Sequence, residues 1–431
     1  MKAWSHPDVP TLAPASGDVP ARLVVRDTAS GDLVEVGPPA DSEKAGAARL
    51  YVCGITPYDA THMGHAFTYV TFDLLTRVWR DQGCQVTYAQ NVTDVDEPLL
   101  ERAEQTGVDW RDLAQEQTEL FRTDMEALRV VPPDHYIGAV ESVGLVVNLL
   151  ESMLLDDSLV ADDGTRPIYQ VDDPEYPDWY FDVSRSAGFG RVGHLDEQQA
   201  LAKFTEMGGD PERPGKRNPL DCLVWRLNRE GEPTWDGGSL GLGRPGWHIE
   251  CTAIALEHLG AHFDVQGGGT DLAFPHHEMC AAQAEVATGE PLADAFVHSS
   301  MVALDGEKMS KSKGNLELVS RLRNNGADPM AIRLALLDQH YRDDWEWTPE
   351  LLERANRRLE RWRDAVGQDA TLGTDDLVAQ VRTALRTDLD APAALAAMDA
   401  WAAASLAMDG DDTEGGARAA TLVDALLGVR L

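Results

Sequence analysis

Leu50-Tyr51-Val52-Cys53, a short turn, a helical period from His62 to Trp79, then Gly83 and a second strand-like run from Val86 to Asn91 leave this chain few architectures. Ala66, Phe67, Val70, Leu74 and Val78 recur at helical spacing, whereas the flanking runs are short and apolar. That order is a β-α-β unit, which requires parallel strands joined by a crossover helix and so predicts an α/β sheet covered on both faces. The turn CGITPYDATHMGH (residues 53–65) holds a cysteine, two glycines and two histidines three positions apart. A helix N-terminus placed there offers backbone N–H groups and about half a positive charge, an anion site for which His62 and His65 are candidate donors to phosphate. Alone, H-x-G-H is a weak signal, because two surface histidines look the same.

A second motif lies far downstream. GEKMSKSKGN (residues 306–315) puts three lysines and two serines between glycines, in a chain with 37 basic against 73 acidic residues and a net charge of −36. Lys308 and Lys311 are candidates to embrace a polyphosphate and stabilise charge on departing pyrophosphate, although a lone lysine cluster is by default a solvated turn. The acidic balance argues against nucleic acid, whose binding depends on neutralising phosphates with Lys and Arg.

Five cysteines in 431 residues make no disulfide framework, and thiols near histidine point to metal or catalysis instead. Cys251 lies in GWHIECTA and His276 in FPHHEMC, with Cys280 four residues later. Thiolate and imidazole together favour zinc, while each residue alone reads as core filler or a satisfied buried histidine.

The rest of the chain sets the domains. Residues 1–20 are Pro-rich and read as mobile, and Leu23–Arg26 and Leu33–Val36 flank Ser30-Gly31-Asp32 as a hairpin. Residues 111–155 look helical, 156–187 are acidic and turn-rich like an insertion, and from Pro349 the pattern is amphipathic helix. The expected division is an N-terminal extension (1–48), a catalytic domain (49–320) interrupted at about 130–220, and a helical C-terminal domain (321–431). With no apolar leader and no stretch of roughly eighteen apolar residues, the expectation is a cytoplasmic chain without a membrane span.

Together and in this order, HMGH and KMSKS resemble the HIGH and KMSKS signatures of class I aminoacyl-tRNA synthetases. The resemblance implies a Rossmann-type (HUP) domain with a doubly wound, mostly parallel five-stranded sheet, an insertion and C-terminal helices. It implies attack of a carboxylate on the α-phosphate of ATP, taken with Mg2+, with His62, His65, Lys308 and Lys311 as catalytic residues. Cys53, GWHIEC, GGGTD, FPHHE, NVTDVD (91–96) and KRNPLDCLVW (216–225) are similar to the cysteinyl-tRNA synthetases over residues 50–320. That similarity implies one zinc held by Cys53, Cys251 and His276, with an open position for a substrate thiolate. Trp247, Thr93 and Asp271 would shape the cysteine pocket, Gly269, Thr270 and Val302 would lie near the adenylate, and Gly54, Ile55, Thr56, Thr68, Asn91 and Val92 complete the implied binding set. Where those synthetases carry a glutamate ligand this sequence has Cys280, which stays outside the ligand set.

Ile55, Pro57 and His65 depart from the synthetase signature, little chain follows for an anticodon-binding domain, and EMGGDP spans 206–211. In these respects the chain resembles the cysteine ligases of mycothiol biosynthesis. Membership there implies L-cysteine, ATP and the amine of 1D-myo-inositol 2-amino-2-deoxy-α-D-glucopyranoside as substrates, no nucleic acid, and a monomer. The alternatives are a cysteinyl-tRNA synthetase and a catalytically silent nucleotide- or zinc-binding relative. Retention of both histidines and both signature lysines speaks against the silent one.

Overall fold

The hairpin forms where its turn residues place it, with β1 (Leu23–Arg26) antiparallel to β2 (Leu33–Val36), in the computed structural model of the chain. The structure describes residues 1–14, 22–38, 46–58, 61–309, 315–408 and 410–431. β3 (Ala47–Val52), α1 (Met63–Asp81) and β4 (Gln85–Val92) are the expected β-α-β unit, parallel from Ala47 opposite Gln85 to Val52 opposite Gln90. α2 (Glu97–Thr106) and α3 (Trp110–Ala127) lead to β5 (His135–Gly138), and α4 (Ala139–Leu155) follows. An antiparallel sheet comes next, formed by β6 (Ile168–Gln170), β7 (Trp179–Phe181), β8 (Cys222–Leu227), β9 (Trp235–Asp236) and β10 (Leu242–Pro245), with α5 (Glu197–Glu206) between β7 and β8. α6 (Trp247–Leu259), β11 (Phe263–Gly269), α7 (Glu278–Thr288) and β12 (Ala293–Ser299) complete the second half.

The central sheet has the order β12-β11-β3-β4-β5 among the described residues, and every neighbouring pair is parallel. This is the doubly wound five-stranded sheet the sequence predicts. Its two faces follow the period-2 alternation of a strand. Leu50 and Val52 join the core shared with α1, whereas Tyr51 and Cys53 join the cluster that holds Cys251 of α6 and Cys280 of α7.

Three expectations shift. β5 interrupts the stretch read as helical from 111 to 155, because the four residues of HYIG are too few to show a period. The insertion expected at about 130–220 is displaced: residues 135–138 belong to the central sheet, and antiparallel strands continue to Pro245. The acidic, turn-rich composition marks only the first part of that segment. Residues 1–14 are no loose appendage. Trp4 is buried, donates from Nε1 to Val130 O at 2.7 Å, and meets Phe121 and Tyr136 edge-on at 5.7 Å each.

After β12 come β13 (Val302–Leu304), β14 (Glu307–Lys308), α8 (Val319–Asn324), α9 (Pro329–Leu337) and β15 (Trp345–Glu346), then α10 (Pro349–Val366), α11 (Asp375–Arg386), α12 (Ala391–Ala407) and α13 (Gly415–Leu427). Among the described residues no helix is long and apolar enough to cross a membrane. A buried ionic cluster fastens these helices to α1. The Asp73 carboxylate accepts from Arg77 Nε at 2.8 Å, from Val131 N at 2.7 Å and from Arg333 Nη2. Arg333 also donates to Leu427 O at 2.6 Å and Leu128 O at 2.7 Å. Burial alone would raise the Asp73 pKa, yet Arg77 and Arg333 hold it below the usual aspartate value. Arg333→Met therefore leaves a buried carboxylate short of a partner and is expected to cost about 3–5 kcal/mol in urea unfolding. A loss below about 1 kcal/mol would contradict the assignment. Because the Asp73 pKa is depressed in the folded state, its stabilisation is complete above the ordinary aspartate range and is lost as pH falls through the folded value.

Candidate active site

The strand order reverses direction of growth between β3 and β11, and ligands of such sheets bind at the carboxyl ends of the strands at that point. Cys53 N donates to Gly267 O at 3.1 Å, extending the ladder one residue beyond β3. Gly54 N then donates to Asn91 Oδ1 at 2.7 Å, and a Cβ at residue 54 would fall 1.6 Å from Asn91 O, so only glycine permits the approach. Asn91 Nδ2 donates to Thr93 Oγ1 at 3.1 Å, and Thr93 N to Ile55 O at 3.0 Å. A cavity of about 460 Å³ opens over these residues, reaching Thr56, whose hydroxyl donates to Asp96 at 3.0 Å.

α1 delivers the two histidines to the cavity wall. His62 is the N-cap of the helix, and its Nδ1 accepts from Gly64 N at 3.1 Å and His65 N at 3.4 Å. Two amides expected to serve a phosphate are thus engaged by the His62 ring, which leaves Nε2 as the His62 atom able to donate to an anion. The His65 ring stacks on it at 3.8 Å. Thr68, one turn on, bonds Ser299 Oγ at 2.7 Å and ties α1 to the end of β12. Beyond that end Val302 lines the cavity, as do Gly269, the last residue of β11, and Asp271 just after it.

Two of the expected binding residues lie elsewhere. Val92, the last residue of β4, lies between Asn91 and Thr93 and turns into the core on the α1 side, fully buried. Thr270 is exposed at the start of the single turn after β11, and its neighbour Asp271 takes the place on the cavity wall. Lys308 ends β14, and Lys311 lies outside the described residues.

Opposite α1, the cavity floor holds Cys53, Cys251 and His276, all buried, with their donor atoms within 4.8 Å of one another. Cys53 arrives by strand parity, Cys251 from the first turns of α6, and His276 from the irregular turn before α7. Trp247 stacks on the His276 ring at 4.5 Å and forms one wall. Burial and the hydrogen bond to Cys251 push the Cys53 thiol well up. Burial works the same way on Cys251, but the Cys53 thiol and the His276 imidazole beside it outweigh this and hold it well below the ordinary thiol value. For His276 burial disfavours the charge, and Cys280 and Cys251 overcome that, raising it well above the ordinary imidazole value. Two thiols and an imidazole that converge in a buried site, one thiol held toward its thiolate by the imidazole beside it, suit a divalent, thiophilic cation that displaces their protons. The three donors all border the cavity, so the side facing it is available to a further ligand. The Cys280 thiol touches His276 and lies 3.3 Å from His248 O, and it is not one of the three mutually close donors.

Sequence reasoning missed several neighbours of Cys53. His277 Nε2 stands 3.2 Å and Gln266 Nε2 3.5 Å from its sulfur, and Tyr69 Oη donates to its carbonyl at 3.0 Å. Gln266 carried a signal: a glutamine inside FDVQGGG, on a strand covered on both faces, must have a partner. Met207, from the EMGGDP stretch, also reaches the cavity, so the inserted segment contributes to its wall.

Comparison with known proteins shows the family. Residues 40–357 match the family described as tRNA synthetases class I (C) catalytic domain. The chain is 56% identical over 433 residues to the L-cysteine:1D-myo-inositol 2-amino-2-deoxy-alpha-D-glucopyranoside ligase of Kineococcus radiotolerans, with 100% of both chains covered. It is 55% identical over 447 residues, again covering 100% of both, to the protein of the same name from Catenulispora acidiphila. Among solved structures, Mycobacterium tuberculosis methionyl-tRNA synthetase in complex with methionyl-adenylate shares the fold, with a TM-score of 0.61 at 16% identity over 89% of this chain and 92% of that one. The chain therefore belongs to the class I (C) synthetase catalytic family and, within it, to the L-cysteine:1D-myo-inositol 2-amino-2-deoxy-α-D-glucopyranoside ligases.

Proposed function

We propose that this protein activates L-cysteine with ATP and transfers the cysteinyl group to the glucosamine nitrogen of 1D-myo-inositol 2-amino-2-deoxy-α-D-glucopyranoside, the amide-forming step of mycothiol biosynthesis. The observation that carries the reading is one cavity with a two-thiol, one-imidazole floor on one side and the His62/His65 helix terminus on the other. In the first step a cysteine carboxylate oxygen bonds to the α-phosphorus of ATP as the bond to the bridging oxygen breaks, releasing pyrophosphate. His62 and His65 donate to the phosphate oxygens and orient the chain, and Lys308 and Lys311 take the charge that grows on the leaving group. In the second step the sugar amine attacks the acyl carbon, AMP leaves, and the nitrogen gives up a proton.

Cys53, Cys251 and His276 are the residues that would hold zinc. When bound, zinc supplies a soft Lewis acid for the substrate thiolate, favouring cysteine over serine. Trp247 would pack against the substrate side chain, and Asp271, which lines the cavity, would meet its ammonium group. The chain is expected to act as a monomer, on small molecules alone.

The acceptor decides the reading. With ATP and cysteine, adding the amino-sugar is expected to yield the amide, AMP and pyrophosphate in equal amounts, whereas added tRNA yields no aminoacyl ester. Transfer of cysteine to tRNA at a comparable rate would instead establish a synthetase.

A further inference from the structure

Cys53 does not end its hydrogen bonding at His277. His277 Nδ1 lies 2.8 Å from His298 Nε2, and His298 Nδ1 lies 2.7 Å from Thr28 Oγ1. A file of polar groups thus runs from the sulfur, through two imidazoles, to a hydroxyl 25 residues upstream in the N-terminal hairpin. We propose that Thr28 is a positioning residue for the metal site, its hydroxyl setting the tautomers of His298 and His277 so that His277 donates to Cys53. The inference rests on the metal-site reading above.

The direction of the file follows from its inner end. A thiolate ligand accepts hydrogen bonds only, so the His277 Nε2 facing it must carry the proton. His277 is fully buried and His298 nearly so, and burial keeps the latter neutral, with a pKa lowered to about 4. A neutral imidazole has one donor and one acceptor. His277 Nδ1 must therefore accept, His298 Nε2 must donate to it, and His298 Nδ1 must accept in turn. Only a donor can satisfy that last nitrogen, and the Thr28 hydroxyl is the group in place. A carboxylate there would impose the opposite tautomers and aim a lone pair at the Cys53 sulfur. Asp27, the acid next door, is engaged elsewhere: it accepts from the backbone N–H groups of Ala29, Ser30 and Phe296.

The hairpin is held so that the hydroxyl cannot drift. Thr28 N donates to Phe296 O at 2.7 Å on the edge strand β12. His194, from the inserted segment, bonds the carbonyls of Thr28 and Ala29 at 3.1 and 2.8 Å. On the other side of the turn Arg26 N donates to Asp388 Oδ1 at 3.0 Å. The N-terminal extension, to which the reaction assigns no chemistry, thereby reaches the metal-binding thiol. Outer partners of this kind fix ligand orientation and commonly change metal affinity by roughly 10- to 100-fold.

Thr28→Val keeps the shape and removes the hydroxyl, while Thr28→Ser restores it. In full-length protein, chelator competition is expected to find zinc bound roughly tenfold more weakly by Thr28→Val and normally by Thr28→Ser. With cobalt in place of zinc, the thiolate-to-metal absorption band should move to longer wavelength in Thr28→Val, because a thiolate with a weakened hydrogen bond is more easily oxidised. Thr28→Val placed on His298→Gln should add nothing further, the file being already cut. Unchanged zinc affinity and an unchanged cobalt band in Thr28→Val would overturn the proposal, as would a weakened affinity that Thr28→Ser does not restore. A wild-type protein with no cobalt–thiolate band would overturn the metal site itself, and that result is read before any Thr28 variant is made.

Discussion

Cys53→Ser is expected to abolish zinc binding and cysteine-dependent pyrophosphate exchange together, with the loss of exchange exceeding the roughly 10- to 100-fold that removal of an outer partner costs. The substitution is nearly isosteric, and the ladder bond from residue 53 to Gly267 O uses only backbone, so the strand end survives. What disappears is one of two sulfurs that stand 4.0 Å apart. A serine hydroxyl stays protonated and bonds zinc poorly, and the remaining Cys251 and His276 make a two-donor site. Cys280→Ser is the control, since its thiol bonds the His248 carbonyl, and it should keep both metal and selectivity. Elemental analysis paired with isotope exchange reads both. Exchange at the wild-type rate in Cys53→Ser would end the metal-site reading.

Lys311→Ala should slow adenylate formation by about a hundred- to a thousandfold while changing the apparent affinity for cysteine little. The asymmetry is the point. A charge that meets pyrophosphate as it departs stabilises the transition state more than the ground state, so the loss appears in the rate of the chemical step. Lys311 itself lies outside the described residues, but the chain on both sides is fixed close to the helix terminus it must serve. β14 pairs with β13, Met63 N donates to Glu317 O at 2.9 Å, and Val319 N donates to Thr61 O at 3.1 Å, bracketing His62. Single-turnover measurement of cysteinyl-adenylate tests the role, and a burst of unchanged rate and size would remove it.

What could be read from the chain was what depends on neighbours in sequence. The hairpin at Leu23–Val36 has its turn residues beside it, and β3-α1-β4 shows its change of period within forty-odd residues. The convergence of Cys53, Cys251 and His276 was legible for a different reason: cysteine and histidine are few, and a family resemblance supplied their grouping. β5 stayed hidden because four residues between two helices carry no period. Trp4 looked like part of a loose arm, and its partner Val130 is 126 residues away. The Thr28–His298 contact spans 270 residues, and a threonine two places past a strand has nothing local to mark it. Val92 was misplaced by proximity: between two residues of the cavity, it faces away from them by strand parity.

That parity has an engineering consequence. The sheet acts as a partition, with Tyr51 and Cys53 on one side and α1, which His62 caps and which carries His65, packed on the other. Changes in side-chain size on one side of the strand do not need compensation across the backbone. The same partition makes β3 intolerant of a frame slip. Deleting one residue between Arg49 and Val52 would exchange the two faces, burying the thiol against α1 and presenting an aliphatic side chain to Cys251 and His276. The six residues that lead to Cys53 therefore tolerate substitution better than insertion or deletion.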